Sequence, residues 1–184
     1  MFAPAPRSVA AQPTGARLVA GLLAIGAALA AFALAFQWRQ TDGCLQFYGG
    51  GVARAITTAA HVEVWHLAPG DRPGRLVVVG RCDVSRAAGL VHLRRGMVED
   101  ANFAGRAQDP RPLPPEAWTV ALAFGAAAGA PPQAVVAIAM DKDRGAACLV
   151  GRPGRLVLGR IRGGLRTWVE KTCPRTAGIG FEGP

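Results

Sequence analysis

Hydrophobic and polar positions change their rhythm several times along the chain, and each rhythm predicts a different element. From Leu18 to Phe36, 19 residues pass without a charged or strongly polar side chain. As a helix this stretch reaches ~28 Å, close to the ~30 Å hydrocarbon core of a bilayer. Its strongly apolar members are Leu18, Val19, Leu22, Leu23, Ile25, Leu29, Phe32, Leu34 and Phe36. Together they favour insertion by roughly 3–5 kcal/mol. Residues 18–37 are therefore expected to form a retained, single-pass transmembrane helix after a short tail, 1–17. Two other readings compete with it. A cleaved signal peptide would use Ala33-Leu34-Ala35 as its site, but its apolar region normally spans only about 7 to 15 residues. A buried helix of a soluble domain would carry a polar face, and this stretch has none.

Beyond a juxtamembrane segment, 38–60, the period shortens; within that segment Gly49–Ala60 opens on three glycines as irregular chain before a candidate short helix. "HVEVWHL" (61–67) alternates and "RLVVVGRC" (75–82) is a β-branched run, with the turn formers "APGDRPG" between them. The pair predicts a hairpin with a longer loop. "DVSRAAGLVHLRRGMVEDANF" then shifts to helical spacing. Ser85 is its expected cap, and Ala87, Leu90, Val91, Arg94, Met97 and Val98 its recurring positions. The proline-rich "AQDPRPLPP" (107–115) reads as an internal loop, because proline cannot donate to a ladder.

"AWTVALAFG" and "QAVVAIAM" predict two more strands, with Trp118, Val120, Leu122 and Phe124 on one face. A helix beginning at Pro114-Pro115-Glu116 is the alternative for the first of them. "AACLV" and "RLVLGRI" predict short strands, and residues 163–172 a last helix ending at Cys173-Pro174. The fold class expected is α+β: one N-terminal transmembrane helix, then a small domain over 61–173 with a mostly antiparallel sheet and about two helices, and a tail over 174–184.

Charge changes this picture less than its size suggests. The net charge is +9, but only Lys142 and Lys171 of the 21 basic residues are lysine. In a chain so rich in alanine, glycine and proline, that skew fits coding bias better than selection for phosphate contacts, and nucleic acid is not an expected partner. Arg7 and Arg17 precede the apolar helix with no acid among the first 17 residues, whereas Arg39 is offset by Asp42. The positive-inside bias then places the N-terminus in the cytoplasm and the domain outside it. Trp38 and Phe47-Tyr48 would suit the outer interface. Ala20, Ala24, Ala28 and Ala31 form a small-residue stripe, unremarkable in so alanine-rich a helix.

Candidate chemistry is sparse. "VVAIAMDKDRG" resembles the nucleophile motif of haloacid-dehalogenase-type phosphatases through Asp141-x-Asp143. Roughly forty residues follow it, too few for the further βα units that fold requires, so the segment reads as a hairpin turn. Cys44, Cys82, Cys148 and Cys173 include no C-x-x-C pair, and with His61, His66 and His92 they show no zinc spacing. No metal and no cofactor are expected. In an exported domain the even count allows two disulfides in three connectivities, with Cys44–Cys173 plus Cys82–Cys148 one candidate set and four buried, unpaired thiols the alternative. Cys148 activated by His61 or His66 is the alternative thiol chemistry, although those histidines face opposite sides of a strand. "GRPGRLVLGRIRGGLR" carries Arg152, Arg155, Arg160, Arg162 and Arg166 without an acid, the candidate contacts for an anionic partner.

The sequence thus favours a non-enzymatic, membrane-anchored accessory or interaction subunit, with membrane lipid and an unidentified protein as partners. A membrane-tethered small hydrolase or thiol enzyme is the first alternative. An anchored binder of polyanions or acidic lipid through the arginine segment is the second.

Overall fold

The computed structural model describes residues 15–72, 74–104, 113–140 and 145–175. The chain divides into two compact units, Met1–Arg39 and Gln40–Pro184. The first is built on helix α1, Gly15–Tyr48, which has a mean hydropathy of 2.5 over its most apolar 18 residues and buries none of that window. The nine strongly apolar residues of the stretch expose between 55% and 70% of their surface. This helix is long and apolar enough to cross a membrane.

The second unit is a sheet covered by helices. Its strands are β1 (His61–Pro69), β2 (Leu76–Asp83), β3 (Trp118–Gly125), β4 (Ala134–Met140), β5 (Gly145–Leu149) and β6 (Leu156–Leu158). They form one sheet in the order β2-β1-β3-β4-β5-β6, and every neighbouring pair is antiparallel. Alternation decides the faces. Val62 and Val64 of β1 share a side with Leu122 and Phe124 of β3 and with Val136 and Ile138 of β4. These residues join one large buried cluster with residues of α1 and of three further helices, α2 (Gly50–Thr58), α3 (Leu90–Val98) and α4 (Ile161–Thr172). The opposite face has a smaller cluster of Leu67, Ala121 and Ala137, flanked by Trp65 and Trp118, and no helical residue among those described belongs to it. The result is a two-layer α+β arrangement.

Several expectations are corrected. Among the described residues there are four α-helices rather than a transmembrane helix and about two more. The additional one is α2, at the candidate short helix of 49–60, which forms because Gly49 adopts φ 77° and lets the chain turn out of α1 into a new helix. The segment expected as juxtamembrane belongs to the core: Cys44, Phe47, Tyr48, Ala53 and Ile56 are all buried. Phe47 and Tyr48 therefore pack against the sheet, each only 1% exposed, instead of lying at a lipid interface.

Ser85 does not cap α3, which starts five residues later behind Gly89 in a left-handed conformation. Its buried stripe is Leu90, Leu93 and Met97, while Val91 is 75% exposed. A register shift between Trp118 and Val120 turns the Trp118 ring to the opposite face from Val120, Leu122 and Phe124. Pro115–Ala117 forms a single 3₁₀ turn leading into β3, not a helix. Residues 107–112 of "AQDPRPLPP" and the Asp141-x-Asp143 segment lie outside the described residues.

A carboxylate fixes the end of α1 within the second unit. Asp100 accepts the backbone N–H of Gly43 through Oδ2 at 2.8 Å and that of Cys44 through Oδ1 at 2.7 Å. Two consecutive N–H groups meeting one carboxylate is the arrangement of a capped helix N-terminus, here placed inside a helix. Gly43 permits it, because a Cβ at that position would stand 3.1 Å from Asp100 Oδ2.

Candidate functional site

Chemistry-bearing side chains gather on both faces of β1. On the helical face, after Val62 and Val64, comes His66, 8% exposed and the buried polar residue of the core. Helix α4 brings Leu165 and Val169 onto the sheet, and the same stripe, four residues on, delivers Cys173. Opposite Val64 in the ladder lies Cys82, on the edge strand β2. Cys82 and Cys173 form a disulfide with Cα atoms 5.9 Å apart, closing a sequence separation of 91 residues. The candidate set Cys44–Cys173 plus Cys82–Cys148 is thereby corrected: Cys44 and Cys148 are free thiols.

His66 touches this disulfide. Its Nε2 lies 3.0 Å from the Cys173 carbonyl oxygen and 3.3 Å from Cys173 Sγ. A carbonyl can only accept, so Nε2 carries the hydrogen and shares it between oxygen and sulfur. The ligand atoms of His66, Cys82 and Cys173 all fall within 4.8 Å of one another. Beside them opens a cleft of about 350 Å³ lined by His66, Thr119, Met140, Arg166, Glu170 and Arg175, among others. Arg166 is paired with Glu170 at 2.8 Å, and Arg175 donates to the Leu67 carbonyl at 3.2 Å.

On the opposite face, His61 Nε2 meets Glu63 Oε1 at 3.1 Å, and His61 Nδ1 meets Ser85 Oγ at 3.2 Å. Hydroxyl, imidazole and carboxylate in that order resemble a nucleophilic triad. Distance decides against it. The single hydroxyl proton of Ser85 has Asp83 Oδ1 at 2.5 Å, nearer than the histidine, and Ser85 Oγ also accepts the Val62 N–H at 3.0 Å. Ser85 therefore ties β1 to the end of β2. Glu63 additionally accepts Trp65 Nε1–H at 2.6 Å, and Arg81 stacks 4.8 Å above the Trp65 ring. The Trp65 hydrogen bond first, then that of His61, holds the Glu63 carboxyl below its ordinary range. Hydrogen bonds from Ser85 do the same for Asp83.

The other predicted residues are not gathered. Cys148 lies on the face away from the helices, opposite Ala137, and burial raises its thiol to about 11, which keeps it protonated and a poor nucleophile. Burial, with the hydrogen bond and charge of Asp100, also pushes the Cys44 thiol upward. His61 and His66 stand on opposite faces of β1, and neither is grouped with Cys148. Arg152 and Arg155 occupy the β5–β6 connection, Arg160 precedes α4, and Arg162 and Arg166 lie one turn apart on it.

No protein-family model, no curated protein and no solved structure matches this chain.

Proposed function

We propose that the protein is a non-enzymatic, single-pass membrane protein whose α+β domain acts as an accessory or interaction subunit at the membrane surface. The observation that carries this reading is the solvent exposure of every strongly apolar residue between Leu18 and Phe36, which no part of the described chain covers. In water that area would cost tens of kcal/mol at about 25 cal/mol per Å², whereas among lipid tails it costs nothing. The domain lies on the extracytoplasmic side. Two features support that side: the arginines ahead of the helix, and a disulfide suited to an oxidising compartment.

The test is purification of the full chain from its native membrane in mild detergent, followed by sizing and mass spectrometry. A stoichiometric protein partner is the expected result. A lone chain that gains no neighbour after crosslinking in intact membranes would overturn the interaction role.

A further inference from the structure

We propose that Cys82, Cys173 and His66 form a thiol–disulfide exchange site that accepts electrons from the thiols of a protein partner. This goes beyond the anchored interaction role and stands independently of it. Three observations carry it.

The two sulfurs are unequal. Cys173 is 1% exposed at the end of α4, whereas Cys82 is half-buried on the edge strand, so Cys82 is the more accessible of the two residues. The buried sulfur is the one that faces a donor, since His66 Nε2–H lies 3.3 Å from Cys173 Sγ. Finally, the site is unsatisfied and electropositive. His66 Nδ1 is buried without a hydrogen-bond partner among the described residues, and Arg166 and Arg175 line the adjoining cleft against the single acid Glu170. A purely structural crosslink requires neither a buried imidazole against one sulfur nor the desolvation cost of a buried nitrogen left without a partner. Reactive cysteines sit in just such partly exposed, positive surroundings.

The exchange proceeds in two steps. A thiolate of the partner attacks Cys82 Sγ, the Cys82–Cys173 bond breaks, and its electron pair leaves on Cys173 Sγ. The partner is now joined to Cys82 through a mixed disulfide, while His66 Nε2–H donates to the new thiolate and stabilises it. A second thiolate of the same partner then attacks the partner's own sulfur in that bond and releases Cys82. The partner keeps a disulfide, having given its two protons to solvent. The two electrons remain on Cys82 and Cys173, which take two protons back.

The test uses the oxidised full chain in detergent, with reduced glutathione as the attacking thiol and quenched mass spectrometry as the readout. The disulfide should open while the domain stays folded. His66→Leu should slow opening about tenfold, the worth of one charge-assisted hydrogen bond, and His66→Gln, which keeps an N–H near the same place, should restore most of the rate. An independent arm treats single-cysteine variants with oxidised glutathione. Cys173→Ser should form an adduct at Cys82, and Cys82→Ser should leave Cys173 unmodified. Opening only in the denaturant range that unfolds the domain would overturn the proposal, as would equal adducts in the two variants. So would uptake of one zinc ion by the reduced protein with both thiols protected from alkylation, which would make the cluster a metal site instead.

Discussion

Asp100→Ala removes the carboxylate that accepts the N–H groups of Gly43 and Cys44 at 2.8 and 2.7 Å. Hydrogen bonds to a charged acceptor contribute about 1.5–3 kcal/mol each. Because Asp100 is half-buried, water replaces part of what is lost. The expected cost is therefore toward the lower end for both bonds together, about 2–4 kcal/mol, or roughly 10 °C of melting temperature for a domain of this size. Asp100→Asn keeps the shape, but its amide turns a donor toward one of the two N–H groups, so about half of that cost should remain. Gly43→Ala approaches the same contact from the other side, since its Cβ would sit 3.1 Å from Oδ2 and push the carboxylate away.

The assay is urea denaturation of the full chain in detergent, followed by tryptophan fluorescence. Glu170→Gln serves as the control, because its pair with Arg166 is exposed and worth at most about 1 kcal/mol. Values for Asp100→Ala within about 0.5 kcal/mol of wild type would show that the carboxylate does not hold this end of α1.

Other consequences are open to direct measurement. Glu63 is held below its ordinary value near 4.5, so its contribution is complete above that pH and lost as pH falls through its folded value. Glu63→Gln should flatten this acid-side slope in a series of denaturation midpoints against pH, and an unchanged slope would refute the assignment. Reducing Cys82–Cys173 should lower unfolding free energy by about 2–5 kcal/mol, given the long loop it closes. The Cys82→Ser/Cys173→Ser double variant should show the same loss and no further response to reductant. Gly89→Ala should cost about 1–2 kcal/mol, because φ is 85° and the Trp168 ring lies 3.3 Å from the new Cβ. A cost near zero in thermal melts would mean that the αL entry to α3 is not required.

Alternation made the sheet legible, because a strand buried on one face shows its period directly in residues such as Val62, Val64, Leu122 and Phe124. Two kinds of feature escaped it. Gly49 reads as irregular chain, yet its positive φ is what allows α2 to begin, and only backbone geometry reveals that. The shift between Trp118 and Val120 is a local irregularity that strict period-two counting carries straight through.

The disulfide was only half visible. Leu165, Val169 and Cys173 recur four apart, so the sequence places Cys173 on the buried stripe of α4. Cys82 lies two residues from Gly80 and pairs with Val64, but that register depends on a bulge between His66 and Leu67 that no turn residue announces. His66 reads in the sequence as one of three scattered histidines, because its partner lies 107 residues away. The end of α1 is ambiguous in the sequence for a related reason. An apolar pair such as Phe47-Tyr48 suits a lipid interface and a protein core equally, and Asp100, 57 residues from Gly43, decides between them.

Alkaline carbonate washing of native membranes, with the intact mass of the retained chain determined, tests the anchor most directly. The expected result is a pellet fraction whose mass includes residues 18–36. Release of the protein into the supernatant, or a mature chain that begins beyond Ala35, would contradict it.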